Sequence, residues 1–260
     1  MSDIPVCIDI SHHQGYLDFD EAKRAGVLGV IHKATEGTTF IDSARAENCA
    51  NALAAGLSIA TYFWLKPGEG RAQAEFYLSV VDPVPGERVV IDYEEAGCSL
   101  DTLRDAVQAL LDYDRDLKVT IYSGHLLKEQ LGNGCDDFLA EYTDLWLAHY
   151  TSSEDDISWP SGTYEEWALW QYSETGEIPG IADSYVDLDR FNGSEAEFLA
   201  WINPAGQPKP PPRPEPDEAE VNVAITAPEN VAVKVTVNGE LPRRRFRLRR
   251  QVRRGPDILR

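Results

Sequence analysis

Short apolar runs separated by amphipathic stretches recur along most of this chain, and that alternation restricts the folds open to it. Runs at 4–10, 29–33, 57–65, 88–93 and 118–122 read as strands, and 19–25, 43–55, 71–81 and 100–113 as helices. In 100–113 the apolar residues Leu103, Ala106, Val107 and Leu110 fall at the helical period. Strands at 145–150 and 167–172 follow with little helix between them, then a short strand at 185–188 and a closing helix at 195–202. Repeated β-α alternation calls for a parallel sheet with right-handed crossovers. About eight strands are enough to close that sheet into a barrel. The expected fold is therefore α/β: an irregular TIM-like (β/α) barrel with a helix-poor second half, plus a short C-terminal β appendage. In such barrels the functional site lies at the C-terminal ends of the strands.

The chain has 260 residues, room for one mid-sized domain and an appendage. Residues 1–203 are expected to form the barrel, and a domain of roughly 200 residues buries about 70% of its unfolded surface without help from metal or disulfide. Residues 204–217 are proline-rich and read as an extended, semi-rigid linker. In 218–260 the alternation of Val221, Val223 and Ile225 with Val231, Val233, Val235 and Val237 reads as a small hairpin, followed by eight arginines within 243–254. Charge divides along the same boundary. Residues 1–203 carry 12 Lys/Arg against 37 Asp/Glu, and 204–260 carry 12 against 7. An acidic body disfavours nucleic acid as a substrate. The arginine-rich end, by contrast, suits an anionic envelope surface, because guanidinium engages phosphate in a bidentate way.

Cys7, Cys49, Cys98 and Cys135 show no CxxC pair and no metal spacing, and are expected to be reduced, mostly buried thiols. His12, His13, His32, His125 and His149 have no metal-ligand spacing either and read as structural or rim residues. No metal, no cofactor and a monomer are expected. The start of the chain lacks a basic segment followed by an apolar one, so no signal peptide is read there. On that reading the protein is made in the cytoplasm and acts after release or delivery.

The sharpest local feature is Val89-Val90-Ile91-Asp92-Tyr93-Glu94-Glu95, an apolar strand that ends in carboxylates. Side chains alternate along a strand, so Asp92 and Glu94 share a face, roughly 6–7 Å apart. Like charges confined this closely raise at least one pKa, and a carboxyl with a raised pKa can protonate a glycosidic oxygen near neutral pH. Asp9, in Val6-Cys7-Ile8-Asp9-Ile10-Ser11, and Asp187, in Val186-Asp187-Leu188-Asp189, interrupt two further apolar runs. Closing the strands into a barrel would bring these acids to one mouth. Such convergence costs stability and is usually functional. Lys33 and Glu36 stand at the end of another strand, where a local ion pair in a surface turn would explain them equally well.

Taken in order, these segments resemble the muramidases of glycoside hydrolase family 25, the Chalaropsis-type lysozymes. Asp9-Ile10-Ser11-His12-His13-Gln14-Gly15 is similar to the family's D-x-S-x-x-Q-G, and Lys33-Ala34-Thr35-Glu36-Gly37 with Asp42 to its second block. Asp92-Tyr93-Glu94 matches its D-x-E. Ile121-Tyr122-Ser123-Gly124, the run from Leu145 to Tyr150, Leu169-Trp170-Gln171-Tyr172 and the run from Val186 to Phe191 match later blocks. The resemblance implies hydrolysis of the β-1,4 bond between N-acetylmuramic acid and N-acetylglucosamine in peptidoglycan. It makes Glu94 the general acid, with Asp92 acting on the acetamido group or the cationic transition state. Asp9 and Asp187 would line the mouth and tune both. Tyr62, Glu36, Lys33, Trp64, Tyr122, Trp170 and Gln171 would contact substrate, Tyr62 and Trp170 as sugar-facing aromatics. One departure is Tyr62-Phe63-Trp64, where the family has Tyr-His-Phe. A muramidase with no signal peptide read at its start suits an endolysin-like lytic enzyme and equally an effector delivered by a secretion machine. Two rival readings are a chitinase-like glycosidase, whose D-x-D-x-E would need an acid where Val90 stands, and a non-catalytic wall-binding module, which would not need the acid pair.

Overall fold

The structure of the protein is a computed structural model that describes residues 6–159, 162–181 and 185–203. The expected linker and the appendage with its arginine-rich end lie outside the described residues.

Nine strands belong to one sheet: β1 (Cys7–Ile10), β2 (Gly29–Glu36), β3 (Phe40–Ile41), β4 (Ser58–Trp64), β5 (Arg88–Asp92), β6 (Lys118–Ser123), β7 (Thr143–Ala148), β8 (Leu169–Gly176) and β9 (Val186–Phe191). β1 pairs with both β2 and β9, so the sheet closes on itself as an eight-stranded barrel. β3 stays outside the ring as a two-residue antiparallel extension of β2. Neighbours from β1 through β2 and β4 round to β8 are parallel. β9 runs antiparallel to both β8 and β1. This reversal brings the beginning of β9 to the mouth formed by the C-terminal ends of the other strands.

The helices are α1 (Phe19–Ala25), α2 (Arg45–Ala54), α3 (Gly70–Val81), α4 (Leu100–Tyr113), α5 (His125–Leu131), α6 (Asp137–Tyr142) and α7 (Glu195–Ile202). α4 behaves as its period predicts. Ser99 caps it by accepting from the Thr102 amide, and Leu103, Ala106, Val107 and Leu110 are buried against the sheet. The helix-poor second half is present too: among the described residues between β7 and β8 the helical structure is a 3-10 turn at Glu154–Asp156. The sequence reading missed β3, α5 and α6. α5 and α6 each bury a single residue, Leu127 and Leu139, so neither carries a periodic signal. Of the four cysteines, all free, Cys7 and Cys98 are buried, Cys49 is half-buried and Cys135 is exposed, so the thiols are less buried than expected.

β5 is buried on both faces and divides the core. Val89 and Ile91 pack outward against α3 and α4, whereas Val90 packs inward with Ile31, Ala60, Leu169, Phe198 and Ile202. Phe198 and Ile202 come from α7, which plugs the barrel at the end opposite the mouth. α7 is fixed by a capping box between Ser194 and Glu197. A Cβ on Gly29 would lie 2.7 Å from the Phe198 ring, so this strand start must be glycine for the plug to seat. With α7 plugging the far end, the acids at the C-terminal strand ends are left to meet solvent at the mouth.

Candidate active site

The mouth holds an open cleft of about 230 Å³. Asp9, Asp92, Glu94, Glu174 and Asp187 are among its lining residues. The acid pair of β5 follows strand alternation. Asp92 and Glu94 both face the cleft, and Tyr93 between them is buried in the outer core, its hydroxyl on Gln130. Asp92 is buried, and its Oδ1 has no hydrogen-bond partner among the described residues. Burial, then the nearby Glu94, pushes its pKa well above the usual carboxylate range. Glu94 reaches solvent at the rim. Its pKa is also raised, by desolvation in the cleft and then by the charge of Asp187. The ammonium of Lys33 opposes both shifts.

The opposite wall is built by β1 and β9, where Asp9 and Asp187 are register partners. Asp9 is the more buried, and desolvation followed by the Asp187 charge holds its proton. Asp187, which accepts a hydrogen bond from Asp9, is pushed up to about 6, mainly by burial. Gln171, at 2% exposure, ties this wall to the next. Its Nε2 donates to Asp9 Oδ2 at 2.7 Å, and its Oε1 accepts from the hydroxyls of Tyr122 at 2.8 Å and Tyr150 at 3.0 Å. One layer deeper, fully buried Asp189 accepts from Trp146 Nε1 at 2.9 Å, which orients an indole that floors the cleft.

Of the residues expected to touch substrate, Tyr62, Trp64, Tyr122 and Gln171 line the cleft. Lys33 and Glu36 stand just behind that lining, joined Nζ to Oε2 at 2.8 Å, with Lys66 on the other oxygen of Glu36 at 2.6 Å. Lys33 Nζ lies 4.9 Å from the Trp64 ring centroid, and the Trp64 indole donates to Glu95 at 3.0 Å. Trp170 is the residue the structure does not bring there. It is 1% exposed, packs in the outer core, and donates Nε1 to the His149 carbonyl at 2.6 Å. Adjacent strand residues face opposite ways, so with Gln171 inside the barrel Trp170 must lie outside. Tyr150, Trp146 and Glu174 line the cleft without having been singled out from the sequence. Trp146 pairs in register with Tyr122 and packs edge-on against it at 4.7 Å, so it is the pairing of β6 with β7, which the sequence does not show, that sets it inward. Among the described residues no group of His, Cys, Asp or Glu is arranged to hold a metal ion.

Residues 8–181 match the family described as "Glycosyl hydrolases family 25". The chain is 30% identical over 215 residues to Lysozyme M1 of Streptomyces globisporus, covering 75% of this chain and 70% of that protein. It is 32% identical over 190 residues to the autolytic lysozyme of Clostridium acetobutylicum, covering 71% and 55%. Its fold is similar to the crystal structure of the bacterial lysozyme from Streptomyces coelicolor, with a TM-score of 0.66 and 30% identity over 75% of this chain and 95% of that one. With the acid pair, the closed barrel and these likenesses in agreement, the chain belongs to family 25 of the glycosyl hydrolases.

Proposed function

We propose that the protein is a muramidase that cleaves the β-1,4 bond between N-acetylmuramic acid and N-acetylglucosamine, with Glu94 as the general acid. The observation that carries this reading is the pairing of buried Asp92 with rim-facing Glu94 in one cleft whose other wall holds Asp9 and Asp187. Desolvation in the cleft, and then the charge of Asp187, raise the pKa of Glu94 and so favour the protonated form that gives its proton to the leaving oxygen as the C1–O bond breaks. The unpartnered Oδ1 of Asp92 suits the N–H of a substrate acetamido group. Held there, the acetamido oxygen attacks C1, and the ring that forms is then opened by water, which passes its proton to the Glu94 carboxylate. This substrate-assisted route retains configuration. Tyr62, Trp64, Tyr122, Tyr150 and Trp146 supply aromatic surface for the sugars. A chitinase-like assignment is disfavoured by Val90, which sits among apolar residues where that pattern needs a third acid. We further propose a cell-wall lytic role of the endolysin kind, and that the arginine-rich segment draws the enzyme to an anionic envelope surface.

The test is product analysis on purified peptidoglycan. New reducing ends should be N-acetylmuramic acid, and the β-anomer should appear first by NMR. Glu94→Gln, which keeps the shape but has no acidic proton, should fold and lose about three decades of rate. N-acetylglucosamine reducing ends, α-anomer first, or a Glu94→Gln rate within tenfold of wild type would each overturn the corresponding part of the mechanism.

A further inference from the structure

We propose that Phe40, on the hairpin beside the cleft, is a stacking platform for a saccharide unit of the glycan strand lying beyond the two that flank the cut bond. The inference rests on the muramidase reading and extends its binding surface past the cleft.

Phe40 and Ile41 form β3, the two-residue strand outside the barrel ring, and they are 39% and 50% exposed. Two large apolar side chains on a solvent-facing hairpin gain little for the fold. Yet Phe40 is held from several sides. Glu36 and Thr35 pair in register with Phe40 and Ile41, and the Asp42 amide donates to the Ala34 carbonyl at 2.9 Å, which clamps the hairpin to β2. Lys33 Nζ lies 5.6 Å from the Phe40 centroid. The His12 ring packs at 5.8 Å on another side. His12 is itself anchored by Asp42, whose Oδ2 takes the backbone N–H at 3.0 Å and Nδ1 at 2.7 Å. An exposed aromatic that is already fixed loses little entropy on binding, which is the character of a recognition anchor.

Position says what it would recognise. Phe40 does not line the cavity that contains the acid pair, so a ring on it is not one of the two sugars at the cut bond. It is joined to that cavity through Lys33, which lies against both the Phe40 ring and the Trp64 ring of the cleft wall. A polymer leaving the cleft past Trp64 therefore meets Phe40. The charged groups around it are committed: Lys33 to Glu36, Glu36 also to Lys66, and Asp42 to His12. What remains for a ligand is an aromatic face and the Ile41 side chain, which suit the C–H face of a pyranose better than a charged stem peptide.

The test uses the full-length protein and peptide-free peptidoglycan glycans of graded length. In the wild type kcat/KM should rise with length. Phe40→Ala should lower the ratio of the rate on the longest glycan to that on the shortest by about fivefold to tenfold, and Phe40→Trp should restore it. In the catalytically silenced Glu94→Gln background, Phe40→Ala should weaken binding of the long glycan, measured by calorimetry, by a similar factor. Equal losses at every length, no loss in rate or binding, or a loss seen only when stem peptides are attached would overturn the proposal. If the wild type binds long glycan through Phe40 but cuts none, the muramidase reading fails and the platform stands.

Discussion

Asp9 and Asp187 face each other across the antiparallel pairing of β1 and β9, sharing a hydrogen bond, with the more buried Asp9 holding the proton. The arrangement leaves Asp187 as the carboxylate that bears on Glu94. It also makes the fold work against its own site, because a barrel that confines acids this closely is destabilised whenever they ionise.

That cost gives a pH prediction with a definite sign. Asp187 titrates near 3.8 when unperturbed and at about 6 in the folded protein. Between those values the folded state binds more proton than the unfolded state, so stability is lost as pH rises through the window. Asp187→Asn removes the titration while its amide oxygen can still accept from Asp9. In urea unfolding the variant should be more stable than wild type at pH 7, by about 1–3 kcal/mol, and the gap should shrink toward zero at pH 4. A gap that stays constant or widens on acidification would show that Asp187 is not held protonated by the fold. Activity should fall in the same variant, the usual trade between a strained site and stability.

Gln171 carries a second prediction. Its amide oxygen is filled by two tyrosine hydroxyls and one of its two N–H donors by Asp9, so its strongest commitments are to the protein and a single N–H is left for a sugar. We therefore expect it to act by positioning Asp9 rather than by holding substrate. Gln171→Leu leaves Asp9 Oδ2 and the buried Tyr122 hydroxyl without this partner, at about 1–3 kcal/mol for each group left unpaired. Steady-state kinetics should show kcat reduced with KM nearly unchanged. The opposite split, KM raised and kcat intact, would return Gln171 to direct contact with the glycan.

How much of this was legible beforehand depended on whether a local period decided the matter. Asp92 and Glu94 were readable because strand alternation alone puts residues two apart on one face. The boundaries of α1, α4 and α7 were readable from capping residues and apolar spacing. Asp9 and Asp187 could be named, but their pairing could not, since it needs the antiparallel entry of β9 and the closure of the ring. Trp170 went wrong for a related reason. The face a strand presents is set by register with its neighbours, and a one-residue difference turns every side chain over. Naming both Trp170 and Gln171 as inward already conflicted with the period of two. Phe40 was invisible because a two-residue strand has no period to detect.

The arginine-rich segment supports the remaining prediction, which is separate from bond cleavage. Eight arginines lie within 243–254, against a body in which acids outnumber bases about threefold. Phe246, Leu248 and Val252 add a little apolar surface, too irregular for a helical stripe. Bidentate guanidinium contacts to phosphate would give affinity for lipopolysaccharide or anionic phospholipid. A chain ended after Ala205 should keep its activity on purified peptidoglycan and lose sedimentation with anionic vesicles. Binding by the intact chain should weaken as salt rises from low to physiological strength, because screening shortens the reach of exposed charge to about 8 Å. Equal vesicle binding by the two chains would remove the envelope role. Loss of hydrolysis in the shortened chain would instead make the segment part of the enzyme, since a targeting element adds local concentration at a surface and nothing to cleavage of a substrate already in solution.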